Sequence, residues 1–562
     1  MPNVYGLMDI GKTSLLTQQT SLNVTGHNIS NVNTEGFSRQ VITQVAGEPI
    51  VTRPGSVGSG VRISEIKRSI DQFVVEQIET EAGELGNWEV QEQALRRIEV
   101  SFNDSLNGGL HEAITYFFNY WQTLSLNPES QTARQAVIGK AQIMAESFKK
   151  VSFDISNLRK DVDDDFVAKL ADANSLISDI AELNAKIKDS EASLQNANDL
   201  NDLRDTMLNE LSTLIDTNRI TQSGGQIAIS TAEGGRPLVI GEASFSLGAS
   251  VNEFDASVHD LDWVNLNGST IDITENVSSG KLAGYVKVKE TLNGYEDQLD
   301  QLASEIVRTV NELHVDGFAL DGSTGINFFD PPTVSATESS DNLGTGLISS
   351  GTVVNATNVS TDDFELAFTG ASTFTLLNQT TGAASGTYSF TSGATITALE
   401  TRGISVSITG SVSSGDLFRV SASDRASKTM SVNSSVVLDS KKIAASKSNF
   451  AGDGTNARDI SATIRSNVMG RVVGGTSGTF TFTDFYSGLV SSIGSDAKEA
   501  IDNSTLRSSV KIHLEGRREQ ASGVNLDEEM INLIKFQQAY TASAKLITTA
   551  DEMLDTLLSM AR

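Results

Sequence analysis

The stretch from Ser522 to Leu558 constrains this chain more than any other. Read with a step of seven, Leu526, Leu533, Tyr540, Ile547 and Leu554 fall on one line. Met530, Ala544 and Leu558 fall four residues further on, interrupted by Gln537 and Asp551. That spacing keeps an apolar seam on one side of a helix, as in a coiled-coil strand. Asn525 is placed to cap the start, with Glu528 three residues later at the capping-box position. At ~1.5 Å per residue the rod is expected to be roughly 50 Å long. So narrow a seam cannot be buried by the helix that carries it, and it needs a partner.

The other end of the chain offers one. Leu15, Leu22 and Ile29 repeat at sevens, with Met8 one step earlier and Val32 just after. In an internal helix such a stripe is usually ordinary core packing. Here the two stripes stand at opposite ends of 562 residues, where chains commonly fray. Apolar ends point to each other or to another subunit.

The length predicts about three or four domains and ample core. With 42 basic against 71 acidic side chains and a net charge of −29, nucleic acid and anionic membrane surfaces are poor partners, because Lys and Arg must replace counterions around phosphates. The absence of cysteine excludes disulfides, thiolate metal sites and cysteine nucleophiles. No run of about 18 apolar residues is present to span a bilayer. Residues 1–25 lack a charged segment followed by an apolar run, so no cleavable secretion signal is expected. On that reading the protein stays inside, or leaves by a route that needs no such signal.

Past the first helix, the Asn/Thr/Gly-rich run from Asn28 to Gln40 terminates helix. Residues 40–65 read as extended, with Val41, Thr43 and Val45 alternating before turns at Pro49, Pro54, Gly55, Gly58 and Gly60. Helical spacing follows: Ile66, Ile70, Phe73, Ile78, Leu85, Leu95 and Ile98, loosely broken by Gly83 and Gly86. Phe102 to Gly109 reads as a turn, then Ile114, Phe117, Phe118, Trp121 and Leu124 as a short aromatic helix. Phe166, Leu170, Ala173, Ile177, Ile180 and Ile187 mark a long helix predicted to continue through Leu203, Leu208, Leu211 and Ile215. Leu292, Tyr295, Leu299, Leu302, Ile306 and Leu313 repeat the pattern, as do Leu489, Ile493, Ala497, Ile501 and Leu514. These make one elongated bundle. Residues 217–277 and 332–425 differ: short alternating runs cut by Gly, the second rich in Ser and Thr and lysine-free from Lys289 to Lys428. Both read as β structure, the second as a sandwich or small barrel.

The expected fold is therefore α+β and multidomain, with two all-β insertions on a helical stalk built from both ends of the chain. Residues 1–40 and 520–562 form a terminal coiled coil. Residues 41–216, 278–331 and 426–519 form the bundle, 217–277 a β insertion, and 332–425 an outer all-β domain.

Chemistry is sparse. Gly6 to Thr13 matches the phosphate-loop pattern G-x-x-x-x-G-K-[ST] letter for letter, ending at Gly11, Lys12 and Thr13. Such a loop needs a buried strand leading into it. Only five residues precede Gly6, and Leu7, Met8 and Ile10 suit a helix face better than an anion cradle. Asp161, Asp163 and Asp165 are spaced like a calcium loop, but Phe166 stands where the turn needs Gly and Asp172 where a closing Glu belongs. That segment reads as a solvated acidic helix face. His27, His111, His259, His314 and His513 show no metal-ligand spacing, and no G-x-S-x-G elbow occurs. No catalytic residue, metal ligand or cofactor is expected. Rival classes are a nucleotidase using Lys12 and a secreted binding module working through residues 332–425.

The ends do carry a signature. Leu22 to Phe37, with Asn28, Asn31, Asn33, Thr34, Gly36 and Phe37, resembles the Asn-rich motif of the bacterial flagellar rod, hook and hook-associated axial proteins. Asn525 to Leu558 resembles that family's terminal helix. Phe37 stands where the family often has Tyr, a departure that keeps the ring. Within the family, Ser38-Arg39-Gln40, Ser522 to Glu529, Phe536 to Tyr540 and the bundle after residue 66 resemble the branch at the hook–filament junction. The β insertions match no motif.

The resemblance implies a non-enzymatic structural subunit, exported unfolded by the flagellar type III pathway to the extracellular flagellum. It implies a ring of about eleven copies between hook and filament, polymerised through terminal helices that line the channel. Implied partners are other copies of itself, the hook protein, a second junction protein, and an export chaperone on the C-terminal helix; neither nucleic acid nor membrane insertion is implied. Leu15, Leu22, Ile29, Leu526, Met530, Leu533, Tyr540, Ile547, Leu554 and Leu558 are the expected assembly interface. The alternative is another axial protein, hook or distal rod. Burying one apolar side chain contributes ~1.5–3 kcal/mol, against ~1–2 kcal/mol of backbone entropy for each ordered residue. Five seam positions barely offset the ordering of some thirty residues, so both ends are expected to be disordered in the free monomer and to fold on assembly.

Overall fold

Helix starts are written into the chain by short polar side chains. Asp71 accepts from the amides of Phe73 and Val74, Ser130 from Ala133, and Thr481 from Asp484, each satisfying a first-turn N–H that has no helical partner. The computed structural model describes residues 4–51, 55–102, 109–193, 195–354, 359–471, 475 and 477–560. Its long helices are α1 (Val4–Ser30), α2 (Gln72–Ser101), α3 (Leu110–Leu126), α4 (Gln131–Ala192), α5 (Asn198–Leu214) and α6 (Gly280–Val315). Short helices α7 (Thr397–Glu400), α8 (Ala426–Thr429), α9 (Ser434–Leu438) and α10 (Thr455–Ala462) precede the long α11 (Phe482–Ser522) and α12 (Leu526–Met560).

The bundle is organised along α4, whose 62 residues span about 90 Å. α4 packs on α3, α5 and α6, while α2 packs on α5, α6 and α11. The expected three-four stripe of α4, from Phe166 to Ile187, is buried. At the end remote from the chain termini, Phe117, Phe118, Trp121, Phe328, Phe329 and Phe482 make an aromatic core. His314 lies within it, its Nδ1 2.7 Å from the Ile326 carbonyl and its Nε2 accepting from the Ala444 amide. Burial pushes its pKa down to about 4, so the ring is neutral, as the accepted amide requires.

Residues 217–277 form a four-stranded and a three-stranded antiparallel sheet. Their apolar side chains, among them Ile229, Val239, Leu261 and Trp263, join the bundle's core rather than enclosing one of their own. The outer segment does have its own core, built on Phe364, Leu366, Phe368, Phe374, Val406, Ile408 and Phe418. Its five-stranded sheet runs in the order 335–338, 417–421, 363–370, 373–378, 383–389, and strands 347–353 and 404–409 pair separately.

The structure departs from the sequence-based expectations in several places. Ile66 lies in a strand, Ile70 in a connection, and Phe73 is 63% exposed; the helix begins only at Gln72, where Asp71 caps it. Gly83 and Gly86 do not break α2. They let it approach the end of α5, where a Cβ on Gly86 would lie 2.5 Å from the Thr213 carbonyl oxygen. The long helix does not run on to Ile215: it stops at Ala192 and α5 starts at Asn198. The Asn196 and Asn198 side chains there donate to the Ile66 carbonyl instead, a competition that asparagine brings to any helix. The acidic face of α4 is not wholly solvated, because Asp163 is buried, receiving His259 on one oxygen at 2.7 Å and Lys289 on the other at 3.1 Å. The phosphate-loop match lies inside α1 and is helix, not loop. Residues 103–108 of the expected turn, and Pro54, lie outside the described residues.

Candidate assembly interface

Strands 40–46 and 61–68 form an antiparallel hairpin that lies along α1. The Thr17 hydroxyl is 3.4 Å from the Val61 carbonyl, and Gln44 donates to the Ser21 hydroxyl at 3.3 Å. The boundary expected at residue 40 thus runs between elements that pack together. On another side of α1 lies α12, antiparallel to it. Ser14 and Ser543 meet hydroxyl to hydroxyl at 2.7 Å, and the Asn28 amide reaches Glu529 at 3.3 Å. Beyond the serine contact, Gly11 sits so close to α12 that a Cβ there would lie 2.7 Å from Cγ1 of Ile547.

The seam differs from the one expected by one position. Leu533, Tyr540, Ile547 and Leu554 are half-buried against α1 as the first line predicts. The second line is Glu529, Phe536, Ser543 and Ala550, of which Glu529, Ser543 and Ala550 are buried, and not Met530, Ala544 and Leu558. Met530 is 58% and Leu558 61% exposed, Leu526 is exposed, and Ala544 is half-buried. On α1, Leu15, Leu22 and Ile29 are half-buried, and the buried positions are Gly11, Thr17, Ser21, Thr25 and Asn28. Small residues let the helix backbone approach both the hairpin and α12, and the larger leucines flank the contact. Asn525 does cap α12, accepting from the amides of Asp527 and Glu528, but the Glu528 carboxylate turns to Arg39.

The Asn-rich signature supplies the joint between this pair and the bundle. Asn28 clamps the Gln40 backbone, donating to its carbonyl and accepting from its amide, both at 3.0 Å. Asn31 donates to the His27 carbonyl and accepts from the Thr34 hydroxyl, closing the helix end. Gly36 takes φ +80, against Thr206 of α5, and Phe37 sets its ring edge-on to His27 at 5.4 Å. Asn33 is exposed.

Next, the Ser38 amide donates to Asp202 at 2.9 Å and Gln40 to Asp199 at 2.7 Å, both on α5. Arg68 grips Asp202 and Asp205 at 2.8 and 2.7 Å; burial nevertheless holds the Asp202 carboxyl above the usual range, with Arg68 opposing. Arg39 donates its backbone N–H to the Ser522 carbonyl and forks its guanidinium over Glu528 at 2.9 Å and Glu529 at 2.8 Å. Sequence reasoning named Ser38 to Gln40 and Glu529 only through resemblance and gave Glu529 no place in the seam. The signal was there: Glu529 stands seven residues before Phe536.

Pairing leaves Met530, Ile531, Ile534, Leu546, Met553, Leu557 and Leu558 of α12 exposed, with Tyr5 and Leu16 of α1. Among the described residues, no group of three or more His, Cys, Asp or Glu is placed to hold a metal ion, and no helix is long and apolar enough to cross a membrane. The arrangement is one of paired rods, a charged joint and an uncovered apolar face.

Family models match three parts of the chain. Residues 95–329 match the helical domain of flagellar hook-associated protein FlgK, 518–560 the C-terminal part of flagellar basal body rod FlgEFG proteins, and 8–37 the flagella basal body rod protein. Flagellar hook-associated protein 1 of Salmonella typhimurium is 28% identical over 568 residues, covering 99% of each chain. The protein of that name from Bacillus subtilis is 26% identical over 593 residues, covering 100% of this chain and 99% of its own. The structure of the flagellar hook junction protein FlgK from Burkholderia pseudomallei shares the fold, with a TM-score of 0.68 at 21% identity, over 79% of this chain and 100% of that one. From end to end, this chain resembles flagellar hook-associated protein 1, of the flagellar rod and hook axial family.

Proposed function

We propose that this hook-associated flagellar protein forms the junction between hook and filament, as a ring of about eleven copies whose paired α1 and α12 line the channel. The observation that carries the reading is the apolar face of α12 left uncovered after pairing with α1. Large apolar side chains left exposed in this number mark an interaction site, and neighbouring copies of the same pair are the occupants that a closed ring supplies. The interface comprises Leu15, Leu22, Ile29, Leu526, Met530, Leu533, Tyr540, Ile547, Leu554 and Leu558, the inward members joining α1 to α12 and Leu526, Met530 and Leu558 facing other copies. Its work is structural rather than catalytic. The subunit travels unfolded through the flagellar type III channel, a chaperone holding α12 beforehand, and meets the hook protein on one side and a second junction protein on the other. The bundle, with residues 217–277 packed into its core, forms the stiff body, and residues 332–425 face outward.

Deleting the gene and examining cells by electron microscopy, with a blot of the medium for flagellin, tests this. The expected result is hooks without filaments and flagellin monomer in the medium. Missing hooks would move the protein down the axis to hook or rod; intact motile filaments would refute the assignment.

A further inference from the structure

The rotation of α12 on α1 is not chosen by apolar content. Beside the line of Leu533, Tyr540, Ile547 and Leu554, two adjacent lines compete for the seam. One offers Met530 and Ala544 with Gln537 and Asp551; the other offers Phe536 and Ala550 with Glu529 and Ser543, while Leu558 and Leu557, which extend the two lines, lie past the start of α1 at Val4. Over the length that α1 covers, the two sets are close in the apolar surface they can bury, yet the structure holds the second inward and leaves Met530 outward.

What separates them is polar. Glu529 is 2% exposed and meets three donors: Arg39 Nε and a second guanidinium nitrogen, each at 2.8 Å, and Asn28 Nδ2 at 3.3 Å. Neither Arg39 nor Asn28 is free to follow α12 to another register. Asn28 is fixed to Gln40 by two backbone hydrogen bonds, and Arg39 to Ser522 by its own N–H. The Ser14–Ser543 hydroxyl contact, about four turns along, repeats the same choice. A buried ion pair contributes little net stability, and an apolar pair of similar volume often serves as well or better. A single polar residue in a coiled-coil seam, by contrast, sets register at some cost in stability.

We propose that Asn28, Arg39 and Glu529 are the register key of the terminal pair. They fix the rotation of α12 on α1 and so keep Met530 and Ile534 outward for contact with another copy. The second half of the proposal rests on the junction reading above. The key's positioning part does not.

The chain has no cysteine, so engineered pairs report register without background. In the full-length protein under mild oxidation, Ser14→Cys with Ser543→Cys reports the observed register. Ser14→Cys with Ala544→Cys reports α12 turned by one position. The ratio of the two cross-linking rates reads register alone, because a change in how often the helices pair moves both rates together. Glu529→Leu is expected to lower that ratio about tenfold, the equivalent of ~1.4 kcal/mol, and to abolish filament attachment. Glu529→Gln, which keeps the shape and can still accept from Arg39, is expected to stay within about threefold of the parent. An unchanged ratio in Glu529→Leu, or equal loss of both cross-links, would overturn the key and leave Glu529 an ordinary stabilising residue. A lowered ratio with normal filaments would uphold the key and refute the role given to the outward face.

Discussion

Asp300 of α6 is 2% exposed and receives the amides of Arg425 and Ser427, each at 2.8 Å, and the Ser427 hydroxyl. Burial raises its pKa to about 7, with Glu296 adding to the rise and the Ser427 and Arg425 hydrogen bonds opposing it. Asp297, Asp363 and Asp424 crowd the same corner, where residues 421–427 lead from the outer sheet back to the bundle. The cations nearby are engaged elsewhere: Lys428 lies 2.6 Å and Arg159 3.5 Å from Glu296, and Arg425 4.0 Å from Asp424. In the unfolded chain Asp300 titrates near 4, so between about pH 4 and 7 the folded state holds a proton that the unfolded state has lost, and stability falls as pH rises. The full penalty above about pH 8 is roughly 4 kcal/mol, of which about 1.4 kcal/mol is recovered between pH 8 and pH 6. Asp300→Asn removes the ionisation but gives up one acceptor and leaves a buried N–H unpaired, a cost of about 1–3 kcal/mol. At pH 8 it is therefore expected to raise the melting temperature of the transition that includes this corner by a few degrees, and to flatten its slope between pH 6 and 8. Thermal unfolding of wild type and variant at several pH values checks both. Glu79 also sits near pH 7, so the difference between the two proteins, rather than either slope alone, is the test. Parallel slopes, or a wild type that gains stability from pH 6 to 8, would refute the reasoning.

Gly11→Val places two methyl groups where Ile547 Cγ1 already stands, and overpacking of about 2 kcal/mol is expected to lower the Ser14–Ser543 cross-link while the bundle melts unchanged. Ile547→Asp and Leu533→Asp put an unpaired charge into the half-buried seam and are expected to block incorporation into flagella with the bundle still folded; normal filament yield from either would count against the pairing. Arg419 stacks on Phe254 at 3.8 Å while Glu253 accepts from Ser339 at 2.7 Å, tying the outer sheet to residues 217–277. Phe254→Ala is expected to weaken that contact by about 1 kcal/mol and to hasten proteolytic release of the outer domain, with the rate of that cleavage as the measure.

The bundle was legible because its signal is apolar and periodic. Phe166 to Ile187 and Leu292 to Ile306 read directly onto buried faces of α4 and α6, and the alternation from Phe364 to Phe368 onto a strand whose inner side is buried. What escaped was set by contacts distant in sequence. Asp163 looks like a solvated acid until His259 and Lys289, 96 and 126 residues away, are brought beside it. Helix breaks were missed where asparagine finds a better partner off the helix, as Asn196 and Asn198 do at Ile66.

The terminal pair shows the same limit at its sharpest. Counting apolar residues at sevens finds Leu533, Tyr540, Ile547 and Leu554, because any rotation that forms a seam must use them. It cannot find the line beside them, since a rule that rewards apolar side chains passes over Glu529 and Ser543 in favour of Met530 and Ala544. Those two polar residues are buried because Arg39, Asn28 and Ser14 meet them from the other end of the chain. Burying Met530 and Ala544 instead would also close the seam, but it would withdraw from α12 an apolar side chain that another copy could reach. Since either line closes the seam about equally well, burial alone does not decide which apolar side chains stay outward for assembly, and the polar contacts at Glu529 and Ser543 make that choice.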